Sequence, residues 1–434
     1  MTSDRVPVAI IGGGFSGTML AAQLARRGIS SALIDGSGRT GLGTAYSTTE
    51  PAHLLNVRAE MMSAWADDPD HFARAFEAEG GDRRGFAQRL LFGRYLRNIL
   101  EEARGVEVVG AFARGVRRAD GRWAVDLDNG RLIEADALVL AHGNQLPEPV
   151  GDAGSRLIND PWGAVSQAAV RDLGESDGDV LIVGTSLTMV DLALSLDAAG
   201  HRGQIVALSR RGLVPRAHSD YQPAPVEPGA FPQGNLLGLW RWLKQRGAEF
   251  GWRAAVDSLR PHSHALWQGF DERQQRRFLR HARPWWDVLR HRIAPEVAAT
   301  IIRMVEEGRL EIVAGRVVGM KNEGDGVSVE FRRRGRSETE SDRFDYVFNS
   351  TGPLGSIERT RDPLLRGLLD DGLIHPDHLG IGIAVDGASR AEGAERMWAM
   401  GPLTKGRYWE MIAVPDIRGQ AAAVAKDIEQ ELGR

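Results

Sequence analysis

The residues best placed for chemistry are glycines. Gly12, Gly14 and Gly17 follow the apolar run Val8-Ala9-Ile10-Ile11, and Asp35 closes a second apolar run 23 positions after Gly12. Gly12 permits a tight turn, Gly14 lets an anion approach backbone N–H groups, and Gly17 lets a helix pack close to a strand. A helix that starts there turns its partial positive end towards that anion. Asp35, at about the 20-residue spacing such a unit requires, can accept from two ribose hydroxyls. Strand, glycine turn, helix, strand and acid together describe a dinucleotide cradle. Gly12, Gly14, Phe15, Ser16, Gly17 and Asp35 are its expected ligand contacts.

The unit recurs. Val180-Leu181-Ile182-Val183 leads into Gly184, Thr185, Ser186, Leu187 and Thr188, the expected contacts of a second ligand. Ser186 replaces the middle glycine and Met189 the last one, so this copy is recognised by its context: a helix over 188–199, Gly200, and a strand over 204–208. That strand ends in Ser209, Arg210 and Arg211 rather than in an acid. An acid would repel a 2′-phosphate, whereas guanidinium forks receive one. The ending favours NADPH, with NADH as the alternative. Two cradles facing each other suit a hydride passed from a nicotinamide to a flavin, here FAD.

Composition removes other classes. The 434 residues suffice for two or three domains. A net charge of −4 gives no reason to expect nucleic acid or an acidic membrane surface. No run of about 20 apolar residues exists to span a bilayer, and the glycine-broken N-terminus is no secretory signal, so a cytoplasmic protein is expected. The chain has no cysteine. That excludes thiolate metal sites and any dithiol relay on the chain's own thiols. Lysine occurs only at 244, 321, 405 and 426, so arginine is the cation available for gripping anions.

A longer repeat frames the two cradles. Val106-Glu107-Val108-Val109 leads to a hairpin through 123–127 and returns through 135–140 to Ala141, His142 and Gly143. Leu310-Glu311-Ile312-Val313 leads to 327–331 and returns through 344–348 to Ser350, Thr351 and Gly352. Such turns carry the chain from one dinucleotide domain to the other. Between the copies, 212–300 is an insertion: a proline-rich loop over 215–232, then helices holding six of the eleven tryptophans. These rings read as the core of a helical subdomain, with the lining of a substrate pocket as the alternative; neither reading excludes a lid. The expected architecture is an α/β fold with two Rossmann-like dinucleotide-binding domains, for FAD and NAD(P), with the helical insertion in the second. Residues 1–160 form the first part of the FAD domain, 161–340 the NAD(P) domain with its insertion, and 341–434 the closing part of the FAD domain, ending in a helix over 417–432 after Pro415.

One segment, Leu54-Leu55-Asn56-Val57-Arg58-Ala59-Glu60-Met61-Met62-Ser63-Ala64-Trp65 with Asp67-Asp68-Pro69, resembles a segment of class B flavin-containing monooxygenases. The strings HLLNV, GTSLTMVDLALSL, LSRRGLVPRAHSD, NSTGP and GPLTKGRYWEMIAVPDIRGQA are similar to a bacterial family of FAD/NAD(P)-binding proteins. That family includes an FAD-dependent urate hydroxylase and an L-aspartate N-monooxygenase that forms nitrosuccinate. The resemblance implies NADPH reduction of FAD, oxygen trapped as a C4a-hydroperoxyflavin, and transfer of one oxygen atom to a small, polar, nitrogen-bearing metabolite. It implies Asn56 as the catalytic hydrogen-bonding residue with Tyr46 beside it, and Thr44, Met62 and Ser63 along the flavin. It implies Gly401, Pro402, Trp409 and Glu410 at the ribityl and pyrimidine edge.

Arg216, His218, Tyr221, Lys405 and Arg407 are candidates for binding an anionic substrate, with surface roles as the alternative. Glu410 can instead pair with Lys405 or Arg407. His142 is a candidate acid–base group near the cofactor. His262/His264 and His375/His378 have tempting spacing but no convincing ligand motif, so no metal is expected. Two rival readings stay open: an NAD(P)H–flavin oxidoreductase or oxidase serving another acceptor, and a non-catalytic cofactor-binding protein whose second site has decayed.

Overall fold

The computed structural model describes residues 4–151 and 154–433. Strand β1 (Asp4–Ile11) is buried over its last four residues, as a strand covered on both faces must be. It pairs in parallel with β2 (Ser31–Ile34) on one side and β6 (Leu132–Leu140) on the other. With β3 (Val106–Val109), β4 (Ala113–Ala119) and β5 (Arg122–Leu127) the sheet runs β3-β2-β1-β6-β5-β4, and β14 (Met397–Ala399) adds to β6. The helix Phe15–Arg26 buries Met19, Leu20 and Leu24 completely. They pack on Ile417, Val424 and Ile428 of the last helix, Val414–Glu431. Pro415 lies inside that helix's first turn, not before it, where its missing N–H is harmless.

The second sheet, β12-β11-β10-β9-β8-β13-β7, repeats the parallel core, but its antiparallel arm β11-β12 joins β10, whereas in the first sheet β4-β5 joins β6. Its strands are β7 (Leu157–Ile158), β8 (Val180–Val183), β9 (Ile205–Ser209), β10 (Leu310–Asn322), β11 (Val327–Arg333), β12 (Glu340–Phe344) and β13 (Tyr346–Asn349). The expected boundaries at 160 and 340 therefore move outwards, because β7 and β13 pair with each other inside this sheet. The insertion is also shorter than expected. The helix Pro295–Glu306 packs Val297, Ala298, Ile301 and Met304 into the second nucleotide domain's own core. The return arm expected over 344–348 breaks at Asp345, whose carboxylate accepts from Asp179 N at 2.8 Å.

The tryptophan-rich helices include Leu236–Phe250, Trp252–Leu259 and Arg283–Arg290. Trp267 and Trp286 are buried, while Trp285 stays exposed. This core is not self-contained. Leu379, Ile381 and Trp409 from the closing part of the first domain complete it.

Both glycine turns are fixed by close backbone approach. A Cβ on Gly12 (φ +107°) would lie 2.4 Å from Ala141 O, and one on Gly184 (φ +124°) 2.1 Å from Ser350 O. Each cradle thus rests on the carbonyl of its own crossing turn. Gly17 is equally constrained, with a Cβ 1.9 Å from Gly12 O. Gly14 is not: its Cβ would meet nothing nearer than Gly43 Cα at 3.6 Å. Gly12→Ala should therefore cost at least about 2 kcal/mol in urea unfolding. Gly14→Ala should change stability by less than about 1 kcal/mol yet lose bound FAD in a flavin-retention assay. Equal effects of the two on both measurements would contradict this division.

Candidate functional site

The first cradle fits a dinucleotide on the chain's own terms. Helix 15–26 begins at Gly14 with no side-chain cap and no acid in its first turn, leaving its positive end for an anion. Asp35 Oδ2 accepts from Gly13 N and Oδ1 from Ser37 N, each at 2.8 Å, so the carboxylate also braces the turn. His142 Nδ1, in the crossing turn, is buried with no partner. Burial holds its pKa below the ordinary 6.5, against the pull of Asp362 and Asp35. Gly401 (φ +62°) closes over the cradle; a Cβ there would sit 2.5 Å from Ser16 Oγ, and its N–H donates to Gln420 Oε1 at 2.7 Å. Pro402 beside it is buried.

The second cradle fits in the same way. The helix Leu187–Ala198 starts at Ser186, which makes no capping bond, and its first turn has no acid. Thr185 Oγ1 donates to Leu213 O at 2.6 Å and takes Ser209 Oγ at 2.8 Å, pinning the loop after β9. Arg210 is exposed and Arg211 half-buried, and neither forms an ion pair among the described residues. Ser350 Oγ, in the other crossing turn, is also buried without a partner. Gly143 (φ +72°) and Gly352 (φ +92°) follow these turns.

Between the cradles lies the segment that holds Asn56. Its backbone is tied on both sides. Leu55 N donates to Ala87 O at 2.8 Å within the first domain, and His218 Nε2 donates to Asn56 O at 3.0 Å from the second. The Asn56 side-chain amide makes no hydrogen bond to protein among the described residues. Thr44 is exposed, and Tyr46 packs on Phe92 with ring centroids 4.7 Å apart. Burial pushes the Tyr46 pKa up to about 12, against Arg89, so its hydroxyl stays protonated. Met62 is buried, and the Ser63 hydroxyl is committed to its own turn, donating to Asp68 O at 2.6 Å.

The candidate substrate residues fall into two groups. His218 and Tyr221 share the loop beside Asn56 with Arg216, which is exposed. Tyr221 donates to Asp257, which also takes a two-pronged contact from Arg292 at 2.8 and 2.9 Å. Burial pushes Asp257 up, but Arg292 outweighs it and the pKa is lowered. Burial raises Tyr221 to about 12, so it remains a donor. Arg253, on the same helix as Asp257, and Arg260, just after that helix, each bury a guanidinium nitrogen without a partner. Lys405 and Arg407 share no hydrogen bond with this group. Lys405 Nζ donates to Leu354 O at 3.3 Å, and burial lowers its pKa to about 8. Arg407 is exposed.

Two placements differ from expectation. Glu410 pairs with neither Lys405 nor Arg407. It is buried at φ +67° and accepts from Trp286 and, at 3.2 Å, from Arg290. Trp409 points into the helical insertion, stacked on Trp267 at 4.9 Å. Of the spaced histidines, His262 bonds Val226 O at 3.0 Å and His378 bonds Gln275 Oε1 at 2.6 Å. Sequence reading passed over Arg89, Asp191, Asp257 and Arg292. Only Asp191 carries a signal, as an acid inside an apolar helical run.

Residues 9–145 match the family model described as FAD-NAD(P)-binding, so the chain carries a cofactor-binding domain of that kind. No curated protein matches the sequence. Among solved structures, L-lysine 6-monooxygenase from Pseudomonas syringae is similar at TM-score 0.70 and 15% identity, over 98% of this chain and 99% of that one. The ornithine N-hydroxylase of Kutzneria sp. 744, solved with reduced FAD, NADP+ and L-ornithine, is similar at 0.67 and 17%, over 99% and 100%. Thioredoxin reductase of T. acidophilum follows at 0.58 and 12%, over the whole of both chains. The likeness is one of fold: two dinucleotide-binding domains arranged as in flavin-dependent oxidoreductases, monooxygenases and reductases alike.

Proposed function

We propose that this protein is an FAD-dependent, NADPH-consuming monooxygenase that uses O2 to hydroxylate a small, polar, nitrogen-bearing metabolite in the cytoplasm. The reaction is N-hydroxylation of an amine or amino acid, or a urate-type ring hydroxylation. When bound, FAD supplies the electron and oxygen chemistry after reduction by NADPH. The observation that carries the reading is Asn56: an amide not spent on protein, on a segment tied to both nucleotide domains. In the first cradle, helix 15–26 and Gly14 hold the FAD pyrophosphate, and Asp35 holds the ribose. In the second, Gly184 to Thr188 hold the NADPH pyrophosphate, and Arg210 with Arg211 grip the 2′-phosphate.

The chain's residues divide the remaining work. Asn56 offers a donor and an acceptor to the reacting groups. Neutral His218 holds Asn56 in place. Protonated Tyr221 is oriented by Asp257, and the arginines around Asp257 supply positive potential for an acidic end of the substrate. The absence of cysteine counts against a disulfide-reductase role despite the shared fold. Electron transfer to another acceptor is the rival, and it predicts NADPH oxidation that yields only peroxide with every metabolite tried.

Purified protein should be yellow, and NADPH should bleach it anaerobically faster than NADH. Replacing Arg210 and Arg211 with alanine should raise the KM for NADPH roughly tenfold or more and leave that for NADH nearly unchanged. A metabolite screen that follows substrate-stimulated NADPH oxidation, with mass spectrometry of products, identifies the substrate; failure of both nicotinamides to reduce the flavin removes the proposal. Asn56→Ala should keep FAD and still oxidise NADPH, while product formation falls roughly 100-fold in favour of peroxide.

Acid sensitivity follows from His218. Burial lowers its pKa from 6.5 to about 4, against the upward pull of Asn56 O, and Arg292 and Arg58 lower it further. The unfolded chain binds more protons than the folded one between those values, so stability falls as pH drops from 6.5 towards 4. In thermal melts across that window, His218→Gln should lose less stability than the wild type.

A further inference from the structure

Two residues sit badly where their local sequence puts them. Arg89 is the first residue of the helix Arg89–Glu102, where the helix dipole disfavours a cation. Asp191 lies between Val190 and Leu192 in the apolar run of helix 187–198 and is 4% exposed. A carboxylate buried there without a partner is strongly unfavourable.

The misfits cancel only across the domain boundary. Arg89 Nη1 and Nη2 reach the two oxygens of Asp191 at 2.8 and 2.9 Å, and both side chains are nearly buried. Arg89 Nε donates to Leu54 O at 3.0 Å, and Arg89 N to His53 O at 2.9 Å. His53 Nε2 lies 2.9 Å from Asp191 O and 3.0 Å from Ser195 Oγ. A carbonyl oxygen only accepts, so Nε2 carries the proton and Nδ1 faces Thr48 Oγ1 at 2.8 Å. His53 and Leu54 immediately precede Leu55 and Asn56. The bonds therefore tie the second domain's helix to the backbone leading into Asn56, while His218 holds Asn56 O from the loop side.

We propose that Arg89, Asp191 and His53 form an interdomain clamp: positioning residues that fix the second nucleotide domain at one angle to the first and set where Asn56 stands between the cradles. The kinetic consequence rests on the monooxygenase reading; the structural one does not. The planar fork is essential, because lysine keeps the charge but makes a single-point contact.

The test compares full-length, flavin-loaded Asp191→Asn and Arg89→Lys with the wild type. In both variants hydrogen exchange of the 53–57 peptide should rise about tenfold or more, with helix 15–26 unchanged. The anaerobic rate constant for flavin reduction by NADPH should fall roughly 10–100-fold, with KM for NADPH within about twofold. Should either variant fail to fold, Ser195→Ala, which removes one hydroxyl contact to His53, should shift both readouts in the same direction by less. Unchanged exchange at 53–57 overturns the clamp, as does faster exchange with an unchanged reduction rate constant. If neither nicotinamide reduces the wild type, the functional reading falls, and the exchange result alone decides the clamp.

Discussion

Two carbonyl groups leave no room for a side chain, and the architecture is built on that constraint. Ala141 O and Ser350 O press against Gly12 and Gly184, so β1 and β8, with the glycine turn and crossing turn of each, form one rigid corner in each domain. Because the contact is backbone to backbone, nothing but glycine satisfies it. The same contact occurring twice, at matching places in two copies of the unit, aligns the cradles more firmly than motif spelling does. It also explains why the second cradle survives the loss of two glycines. Ser186 and Met189 replace residues whose roles were ligand approach and helix packing, whereas Gly184 is held by the sheet itself. Met189 is fully buried and fills the space that a glycine would have closed.

Much of this was legible beforehand because it depends on periodicity and local geometry. Strands β2 and β8, the helices behind both glycine turns and the paired three-stranded arms follow from apolar runs bounded by turns. The errors have a common origin in contacts that are distant in sequence. Residues 157–158 read as part of the first domain, but β13 pairs with them in the second sheet. The 295–306 helix looks like the end of the insertion until its apolar face is seen against helix 187–198. The alternative reading of Glu410, a pairing with Lys405 or Arg407, fails because its backbone at φ +67° turns the carboxylate towards Trp286 and Arg290, more than a hundred positions away. No local rule reports such a pairing.

The helical insertion illustrates the same dependence. Its aromatic core draws Trp409, Leu379 and Ile381 from the closing part of the first domain, and Trp267 Nε1 donates to Gly406 O at 2.8 Å. An insertion in the second nucleotide domain is thereby fastened to the segment that covers the first cradle. The ionic group around Asp257 adjoins that core: Arg292, which holds Asp257, also lies over the Trp252 ring at 5.0 Å.

A two-cradle protein must bring two rings together, and nucleotide binding alone does not fix their relative angle. Covalent connection at the two crossing turns permits rotation of one domain against the other. What removes that freedom here is a set of contacts that are individually awkward and collectively satisfied: a cation at a helix start, an acid in an apolar helix, and a buried histidine with both ring nitrogens engaged. In either domain by itself these groups would be liabilities. Docked, they satisfy one another and terminate beside Asn56. Local unfavourability resolved only in one global arrangement gives a single orientation rather than a range of them.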